Sequence, residues 1–228
     1  MNNLIKLSIV ALLVTIGTES FSQIFGVKAG LNLSTLHMKD DDYNYSDEFK
    51  MSPGFHFGPT VEFPINEMFS FESGLLLSTK GGKRSVKDTY GGGTYEYESK
   101  SRLTMYYLDI PLTAKATFDI GSSKIYGVFG PYIGMGLCGK SKNEFTDNGE
   151  TETNEETINF GSDKDEDDVK RLDYGLTAGA GIELSSFQIG VNYNLGLANI
   201  SAYTEEGNKL NNRVLAISVG YKFGGKYK

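Results

Sequence analysis

The chain contains two histidines, His37 and His56, which are the first residues to consider for catalysis. A hydrolase acting on membrane lipid needs a histidine paired with a serine and a carboxylate, and His56 with Glu72 could supply two of these groups. However, the chain contains no GxSxG nucleophile motif, and neither histidine stands at a metal-ligand spacing from a second ligand. We therefore predict no catalytic residue and no metal-binding histidine, and we interpret His56 as a hydrogen-bonding residue of the interior.

An acidic stretch contains three aspartates at alternate positions, Asp163, Asp165 and Asp167, as at the start of a calcium-binding loop. Asp168 occupies the position where such a loop needs glycine, and Tyr174 occupies that of the bidentate glutamate. This excludes an EF-hand and leaves a weak candidate for a looser divalent-cation site. The alternative is a solvated loop that the repulsion between its charges keeps extended.

A glycine-rich run at 134–139, GMGLCG, matches the dinucleotide-binding pattern GxGxxG letter by letter. That motif works only between a strand and the start of a helix, where the helix N-terminus faces the pyrophosphate. Here a polar segment rich in lysine and serine follows instead. We therefore expect no bound cofactor and interpret these glycines as part of a strand.

Five tyrosines stand among acidic, glycine and serine residues, outside the regular segments described below. They are Tyr43, Tyr45, Tyr90, Tyr95 and Tyr97. Exposed tyrosine beside small polar residues suits contact with a protein or a glycan. The alternative is that these side chains are simply solvated, and the sequence alone favours this plainer interpretation.

The segments that would position these residues show an alternation that is clearest at 103–118. Leu108, Ile110 and Leu112 are apolar, whereas the neighbouring Asp109 and Thr113 are polar. Successive side chains of a strand point to opposite faces, so this segment is predicted to be a strand with one apolar and one polar face. The composition agrees, since 28 glycines, 14 tyrosines and 14 phenylalanines in 228 residues favour strands and turns over helices.

The same pattern recurs along the chain and predicts eight strands. They cover 25–33, 55–65, 69–79, 103–118, 125–137, 173–184, 187–197 and 214–223. Short turns alternate with long loops between them, the longest at 140–171, and Pro59 is expected to mark a bulge in the second strand. The predicted fold is all-β: an eight-stranded antiparallel up-and-down transmembrane β-barrel with four long outer loops and three short periplasmic turns.

Alternation alone does not tell which face of the barrel is inside, because a soluble barrel would alternate in the opposite sense. Here the polar face also carries the glycines, which suit a narrow interior, and the apolar face is free of charge, as hydrocarbon requires. Charges of both signs on the polar face could pair with each other inside the barrel. The predicted interior polar network contains Lys28, Glu62, Glu72, Asp109, Lys115, Asp173, Glu183 and Lys222.

The first 22 residues resemble an export signal. Lys6 precedes an apolar run at 7–16, and the small residues Ser20 and Ser22 suit a signal peptidase. We therefore predict a cleaved signal peptide at 1–22 and a barrel domain at 23–228, located in the bacterial outer membrane. The single cysteine, Cys138, allows no internal disulfide, and the net charge of −7 argues against nucleic acid as a partner.

Three short motifs resemble those of a known family. The chain has FGVKAGLN at 25–32, YLDIPL at 107–112 and GPY at 130–132. These are similar to motifs of the PorT-type outer-membrane β-barrel proteins of Bacteroidota, which are small barrels of the OmpX or OmpA kind. The resemblance implies the fold and the location and supplies no catalytic residues. One member of that family is associated with protein secretion by the type IX system, a role that fold alone does not transfer.

Four functions are compatible with these features, in decreasing order of support. The first is a non-enzymatic structural or interaction role in which acidic, tyrosine-bearing outer loops meet partners. The second is an accessory subunit of an envelope secretion or assembly machine. A narrow pore and a lipid-modifying enzyme follow. The expected partners are outer-membrane lipid and other envelope proteins.

Overall fold

The computed structural model describes residues 23–90, 95–147 and 149–223, so the predicted signal peptide at 1–22 lies outside it. Within these residues the chain forms eleven β-strands. They are β1 (Ile24–Lys39), β2 (Phe49–Lys50), β3 (Ser52–Pro64), β4 (Phe69–Gly74), β5 (Leu76–Tyr90), β6 (Tyr95–Ile120), β7 (Ser123–Asp147), β8 (Glu150–Thr157), β9 (Leu172–Leu184), β10 (Phe187–Gly196) and β11 (Lys209–Phe223). The described helices are two single 3-10 turns, Ser46–Glu48 and Glu205–Gly207, and neither is long and apolar enough to cross a membrane.

Eight barrel strands of the described chain close into a ring. Around the ring, β1 pairs with β3, and β3 pairs with both β4 and β5. β4 and β5 each pair with β6, which is followed by β7, β9, β10 and β11 in that order. β11 pairs with β1 and closes the ring. β4 and β5 together form one barrel strand, while the short β2 and β8 add to the sheet beside β5 and β7. The prediction of an eight-stranded antiparallel barrel is confirmed. Closure pairs the backbone groups that lipid could not satisfy.

The connections distinguish the two ends of the barrel. Short turns at 65–68, 121–122 and 185–186 lie at the same end as Phe25 and Phe223, which pair with each other, so this end is periplasmic. The predicted strand ends are wrong at the opposite, outer end. There β6 and β7, which are 26 and 25 residues long in total, continue past the predicted ends and pair as far as Tyr97 with Asp147. Outside the membrane a strand no longer needs an apolar face, so the alternation of apolar and polar residues does not show where such a strand ends.

Two of the predicted outer loops are therefore largely sheet. The segment between the third and fourth predicted strands is mostly the hairpin of β5 and β6, whose glycine-rich tip at 91–94 lies outside the described residues. The segment 140–171, predicted to be a single loop, begins with the last part of β7 and contains β8.

Pro59 interrupts the sheet without forming the bulge predicted there. Thr60 pairs with Gly74 and Phe57 with Leu77, so one register continues across the gap between β4 and β5. Leu75 lies in that gap and donates its backbone N–H to the Pro59 carbonyl at 3.0 Å, but proline has no N–H to return. The bulge of the barrel lies elsewhere, where Tyr106 pairs with Cys138 and Tyr107 with Gly136.

The two faces of the wall separate as the alternation predicts. On β6 the side chain of Lys115 is fully buried inside the ring, whereas Ile110 and Phe118 are 39% and 48% exposed on the outside. From Phe118 up to Leu108, at about 3.3 Å per residue and a strand tilt of about 40°, the apolar band is about 25 Å tall, which matches the hydrocarbon layer. Exposed aromatic side chains occur near its periplasmic rim, including Phe25, Phe69, Phe187 and Phe223.

Candidate functional site

The periplasmic half of the interior holds six charged side chains in one cluster, here called the periplasmic ion cluster. It consists of Lys28, Lys115, Lys222, Glu62, Glu72 and Glu183, all of them in the predicted network. The Lys115 ammonium group lies 2.5 Å from a Glu183 oxygen and 3.2 Å from Glu62. Lys222 is 2.7 Å from the same two carboxylates, and the Lys28 ammonium group lies 2.5 Å from Glu72. Each lysine is therefore held by at least one carboxylate from another strand.

The charges of this cluster balance, with three ammonium groups and three carboxylates. Neutral hydrogen-bond donors satisfy further oxygens: the Ser70 hydroxyl donates to Glu62 at 2.7 Å, and the Gln188 amide donates to Glu183 at 2.8 Å. The ring of Tyr126 lies 4.4 Å from the Lys115 nitrogen, a cation–π distance. A buried ion network of this kind is tolerated only when its members are paired and hydrogen-bonded, as they are here.

A second cluster, here called the outer ion cluster, lies nearer the outer end and consists of Lys80, Asp109 and Asp173. The fully buried Lys80 nitrogen is 2.8 Å from Asp109 and 2.9 Å from Asp173. Asn212 donates to Asp173 at 3.0 Å, and the Tyr132 hydroxyl donates to it at 3.3 Å. These neutral donors offset the second negative charge, since the cluster has one cation for two carboxylates.

Lys80 is a charged interior residue that the predicted network does not contain. The predicted third strand ends at Thr79; the alternation assigns Lys80 to its polar face, but Lys80 is not among the eight predicted network residues. The polar face of that strand continues with the same period through Ser78 to Lys80, and this was the available signal. The structure places all eight predicted network residues inside the ring, six in the periplasmic cluster and Asp109 and Asp173 beside Lys80.

His56 lies between the two clusters and forms an ordered hydrogen-bonded chain. Its Nδ1 is 2.7 Å from Asn32 Oδ1, and its Nε2 is 2.9 Å from Ser218 Oγ. The Asn32 amide nitrogen donates to Ser78 Oγ and to the carbonyls of Phe55 and Thr79, so its oxygen is left to accept from Nδ1–H. The Nδ1 atom of His56 therefore carries a hydrogen, and in the neutral ring Nε2 accepts a hydrogen bond from the Ser218 hydroxyl.

This serine–histidine–asparagine order is that of a nucleophilic triad, but its surroundings are those of a structural network. Ser218 and His56 are 4% and 5% exposed, and they line a polar cavity of about 60 Å³ inside the barrel. Such a volume holds a few water molecules. A lipid substrate would need an opening to the membrane face, whereas His56 points to the interior, as predicted.

The outer mouth of the barrel is covered by an apolar cluster, here called the outer plug. It consists of Leu36, Met105, Tyr107, Ile158, Phe160, Val169, Ala198 and Ile200. The segments 158–171 and 197–202 fold over the mouth, where Phe160 meets the Tyr107 ring edge-on at 6.1 Å. Backbone hydrogen bonds fix both segments, including Lys170 N–H to Ile200 at 2.7 Å and Ile158 N–H to Gly139 at 3.0 Å. Part of the predicted solvated loop is therefore a closure of the barrel.

The acidic tip of this segment uses its aspartates to hold its own backbone. Asp163 Oδ1 accepts from the Asp165 N–H at 3.0 Å, and Asp167 Oδ2 accepts from the Asp163 N–H at 2.9 Å. Among the described residues, no group of three or more histidine, cysteine or acidic side chains is arranged to hold a metal ion. In the structure, the candidate cation loop at Asp163, Asp165 and Asp167 forms a set of turns. Nearby, the Lys164 ammonium group lowers the pKa of Glu205 in the last outer loop.

The predicted loop tyrosines are dispersed over the outer surface. Tyr43 is exposed and its ring lies 4.8 Å from that of Tyr45, in a turn where Asp40 accepts the Tyr43 N–H. That hydrogen bond and a second one from the Asp42 N–H lower the pKa of Asp40. Tyr97 packs against Phe145 at 6.0 Å on β6 and β7. The side chains of Tyr90 and Tyr95 lie outside the described part of the structure.

Comparison with known families agrees with this architecture. The model of the family described as outer membrane protein beta-barrel domain matches residues 21–202. The chain belongs to this family. Its members are bacterial outer-membrane barrels, so the location in the outer membrane follows. The match is to the general family, and the finer PorT-type resemblance stays a prediction. No curated protein matches the chain.

Solved outer-membrane barrels are similar to this family member in outline. Ail of Yersinia pestis, solved with the heparin analogue sucrose octasulfate, is 16% identical, with 88% of this chain and 99% of Ail covered and a TM-score of 0.36. Neisserial surface protein A is 14% identical, with 87% and 97% covered and a TM-score of 0.36. OprG of Pseudomonas aeruginosa is 13% identical, with 90% and 98% covered and a TM-score of 0.42.

Proposed function

We propose that this outer-membrane barrel is a non-enzymatic interaction protein that binds a partner through the edge of an extracellular sheet. The observation that supports the proposal is the extension of β5, β6, β7 and β8 above the apolar band. β5 and β6 pair up to Tyr90 with Tyr95, and β7 and β8 pair up to Asp147 with Glu150. The four strands form one continuous antiparallel sheet outside the membrane.

β8 is the edge of that extension and pairs on one side only, with β7. All eight of its residues are exposed. An unpaired edge offers backbone N–H and C=O groups to an added strand, which is how many extended peptides are recognised. Because β8 contains Glu150, Glu152, Glu155 and Glu156, two copies of it repel each other, and the partner strand that fits is a basic one.

The interior supports an interaction role over transport. Ion pairs cross the barrel at two levels, and the outer plug covers the mouth. A barrel of eight strands has an interior that side chains fill, so the described interior offers no route comparable to that of a porin. Selective recognition of a partner would therefore depend on the outer surface of this protein.

Photocrosslinking in intact cells tests the proposal. A photoreactive amino acid is placed at Thr153 in β8, and the matched control carries it at Lys209, which is also exposed at the outer end. We expect protein adducts from Thr153 only, and we expect Glu152→Lys with Glu156→Lys to reduce them, whereas Asp165→Lys with Glu166→Lys in the acidic loop leaves them unchanged. Equal yields from both positions, or no adduct from Thr153, would contradict strand addition at β8.

An accessory role in an envelope secretion or assembly machine is a special case of the same proposal, since it would use the same edge. The two differ in the lifetime of the complex. A machine subunit would stay bound to its crosslinked neighbour, at fixed stoichiometry, after detergent extraction of the membrane. Recovery of the barrel alone would leave the transient interaction role.

A further inference from the structure

The outward face of the extracellular extension carries a line of positive side chains across four neighbouring strands, here called the basic row. It consists of Lys50, Lys83, Arg102 and Lys142. Lys50 pairs with Lys83, Lys83 with Arg102, and Arg102 with Lys142. Residues that pair directly across a sheet point to the same face with their side chains about 5 Å apart. The chain as a whole has a net charge of −7, so the charge of this row is opposite in sign to that of the whole chain.

The row points away from the barrel axis. On β6, Leu103 and Met105 turn inward to the outer plug, so Arg102 and Tyr106 lie on the outer face. Tyr106 touches the lipid-facing Phe55 ring at 6.3 Å, near the top of the apolar band. Arg102 is four residues further along the strand, about 10 Å higher along the membrane normal at an ordinary rise and tilt. This is the level of the lipid headgroups.

Like charges directly opposite one another in a sheet repel, so four in a line need a source of negative charge. At the β7 end of the row, the Lys142 ammonium group lies 2.7 Å from the Glu144 carboxylate, and Glu155 of β8 stands directly opposite Lys142 in the sheet. Among the described residues, no carboxylate lies within 4.0 Å of the ammonium groups of Lys50 and Lys83 or of the Arg102 guanidinium. Arg102 is instead positioned by Ser52 Oγ at 3.0 Å and the Pro53 carbonyl at 3.3 Å.

The row borders an open cavity of about 400 Å³, which Lys100 also lines. We propose that this cavity binds the phosphate groups of a phosphorylated glycolipid of the outer leaflet. Phosphate supplies the missing negative charge, and lysine and arginine are its usual ligands in proteins. The acyl chains of such a lipid would lie along the apolar wall below, beside Phe55 and Tyr106. The row reaches β8 where Lys142 stands opposite Glu155, but it lies on the face of the sheet and not on its unpaired edge, so either proposal can fail without the other.

The test measures binding of bisphosphorylated lipid A to the purified full-length barrel in detergent, by native mass spectrometry. The variant is Lys50→Gln with Lys83→Gln, and the matched control is Lys39→Gln with Lys209→Gln, a directly paired couple of exposed lysines outside the row. We expect the variant to lose about 25-fold in affinity, about fivefold for each lysine, and the control to change little. Lys83→Gln alone, expected to lose about fivefold, serves if the double variant does not give the folded barrel.

Two further arms, together with the Lys39 and Lys209 control, separate the alternatives. The same lipid A after phosphatase treatment should bind the wild-type chain as weakly as the phosphorylated lipid binds the variant. Inorganic phosphate at the same concentration should not displace the lipid, because it lacks the chains that lie on the wall. Equal binding of dephosphorylated lipid, full displacement by inorganic phosphate, or an equal loss in the Lys39 and Lys209 control would each overturn the proposal.

Discussion

At the scale of single residues, the interior shows why charges can persist in a membrane protein. Lys115 and Lys80 are fully buried, yet each lies within 4 Å of two or more carboxylates from other strands. A pair of this kind adds little to stability compared with apolar packing, but breaking it leaves a buried charge without compensation. We therefore expect the two ion clusters to contribute to the register of the strands more than to the overall stability.

Replacing Lys80 by methionine should be strongly destabilising. The side chain keeps its approximate volume, but Asp109 and Asp173 lose their shared cation, and we expect a loss of about 3–5 kcal/mol in the free energy of unfolding. The measurement is urea unfolding in lipid vesicles, followed by circular dichroism. Asp173→Asn added to Lys80→Met should restore part of the loss. Lys124→Met, in an exposed pair with Asp119 at a periplasmic turn, should change stability by less than about 1 kcal/mol.

The sequence predicts the polar face of each strand but not the pairing of charges on it. Lys115, Glu62 and Glu183 could be assigned to the interior because each stands on the polar face of a strand. Their mutual distances depend on the shear of the barrel, which relates residues more than fifty positions apart and has no local signal. Lys80 also falls on a polar face, but it stands one residue beyond the predicted end of its strand, so the sequence does not predict its place in the network.

At the scale of elements, the acidic segment between β7 and β9 has three structurally different parts, which its amino-acid composition does not distinguish. Its first part is sheet, its tip is a set of aspartate-supported turns, and its ends supply Ile158, Phe160 and Val169 to the outer plug. Isolated apolar residues in a charged segment were the signal for the plug. They could not be interpreted from the sequence, since their partners Leu36, Met105 and Ile200 come from three other regions of the chain.

Replacing Phe160 by alanine should open the plug without unfolding the barrel. The ring is 8% exposed and packs on Tyr107, and its removal from a buried cluster would cost about 3–5 kcal/mol if the segment stayed in place. Because the segment lies over the mouth and is not a strand of the barrel wall, it can open locally while the barrel stays closed. We expect faster hydrogen exchange at the Ile158 and Lys170 amides, with an unchanged urea midpoint for the barrel. The control is Phe145→Ala, on the exposed extension, which should leave those amides protected.

A lowered urea midpoint of the barrel for Phe160→Ala would contradict this expectation, because it would show that the plug unfolds together with the barrel.

At the scale of the whole molecule, the protein has a dry outer wall, a paired polar interior, a covered mouth and a sheet that rises above the membrane. The first two were predictable, because alternation and the absence of charge on one face are properties of individual strands. The last two were not, because both arise where the chain leaves the membrane and where lipid no longer constrains which residues are apolar.

The purified barrel should not conduct ions. Ion pairs at two levels and the plug above them block the axis, so we expect no stable single-channel steps in planar bilayers. A general porin reconstituted in the same bilayer provides the positive control. Reproducible steps from the wild-type chain would contradict the interpretation of the interior as filled.

The seam of the barrel joins its first and last strands, with Phe25 opposite Phe223 and Lys39 opposite Lys209. Until β11 has been delivered, both borders of the growing sheet present polar backbone that hydrocarbon cannot solvate. Insertion must then wait for the complete polypeptide, so assembly follows synthesis and cannot accompany it. We expect a product truncated before β11 to be unable to form the closed ring.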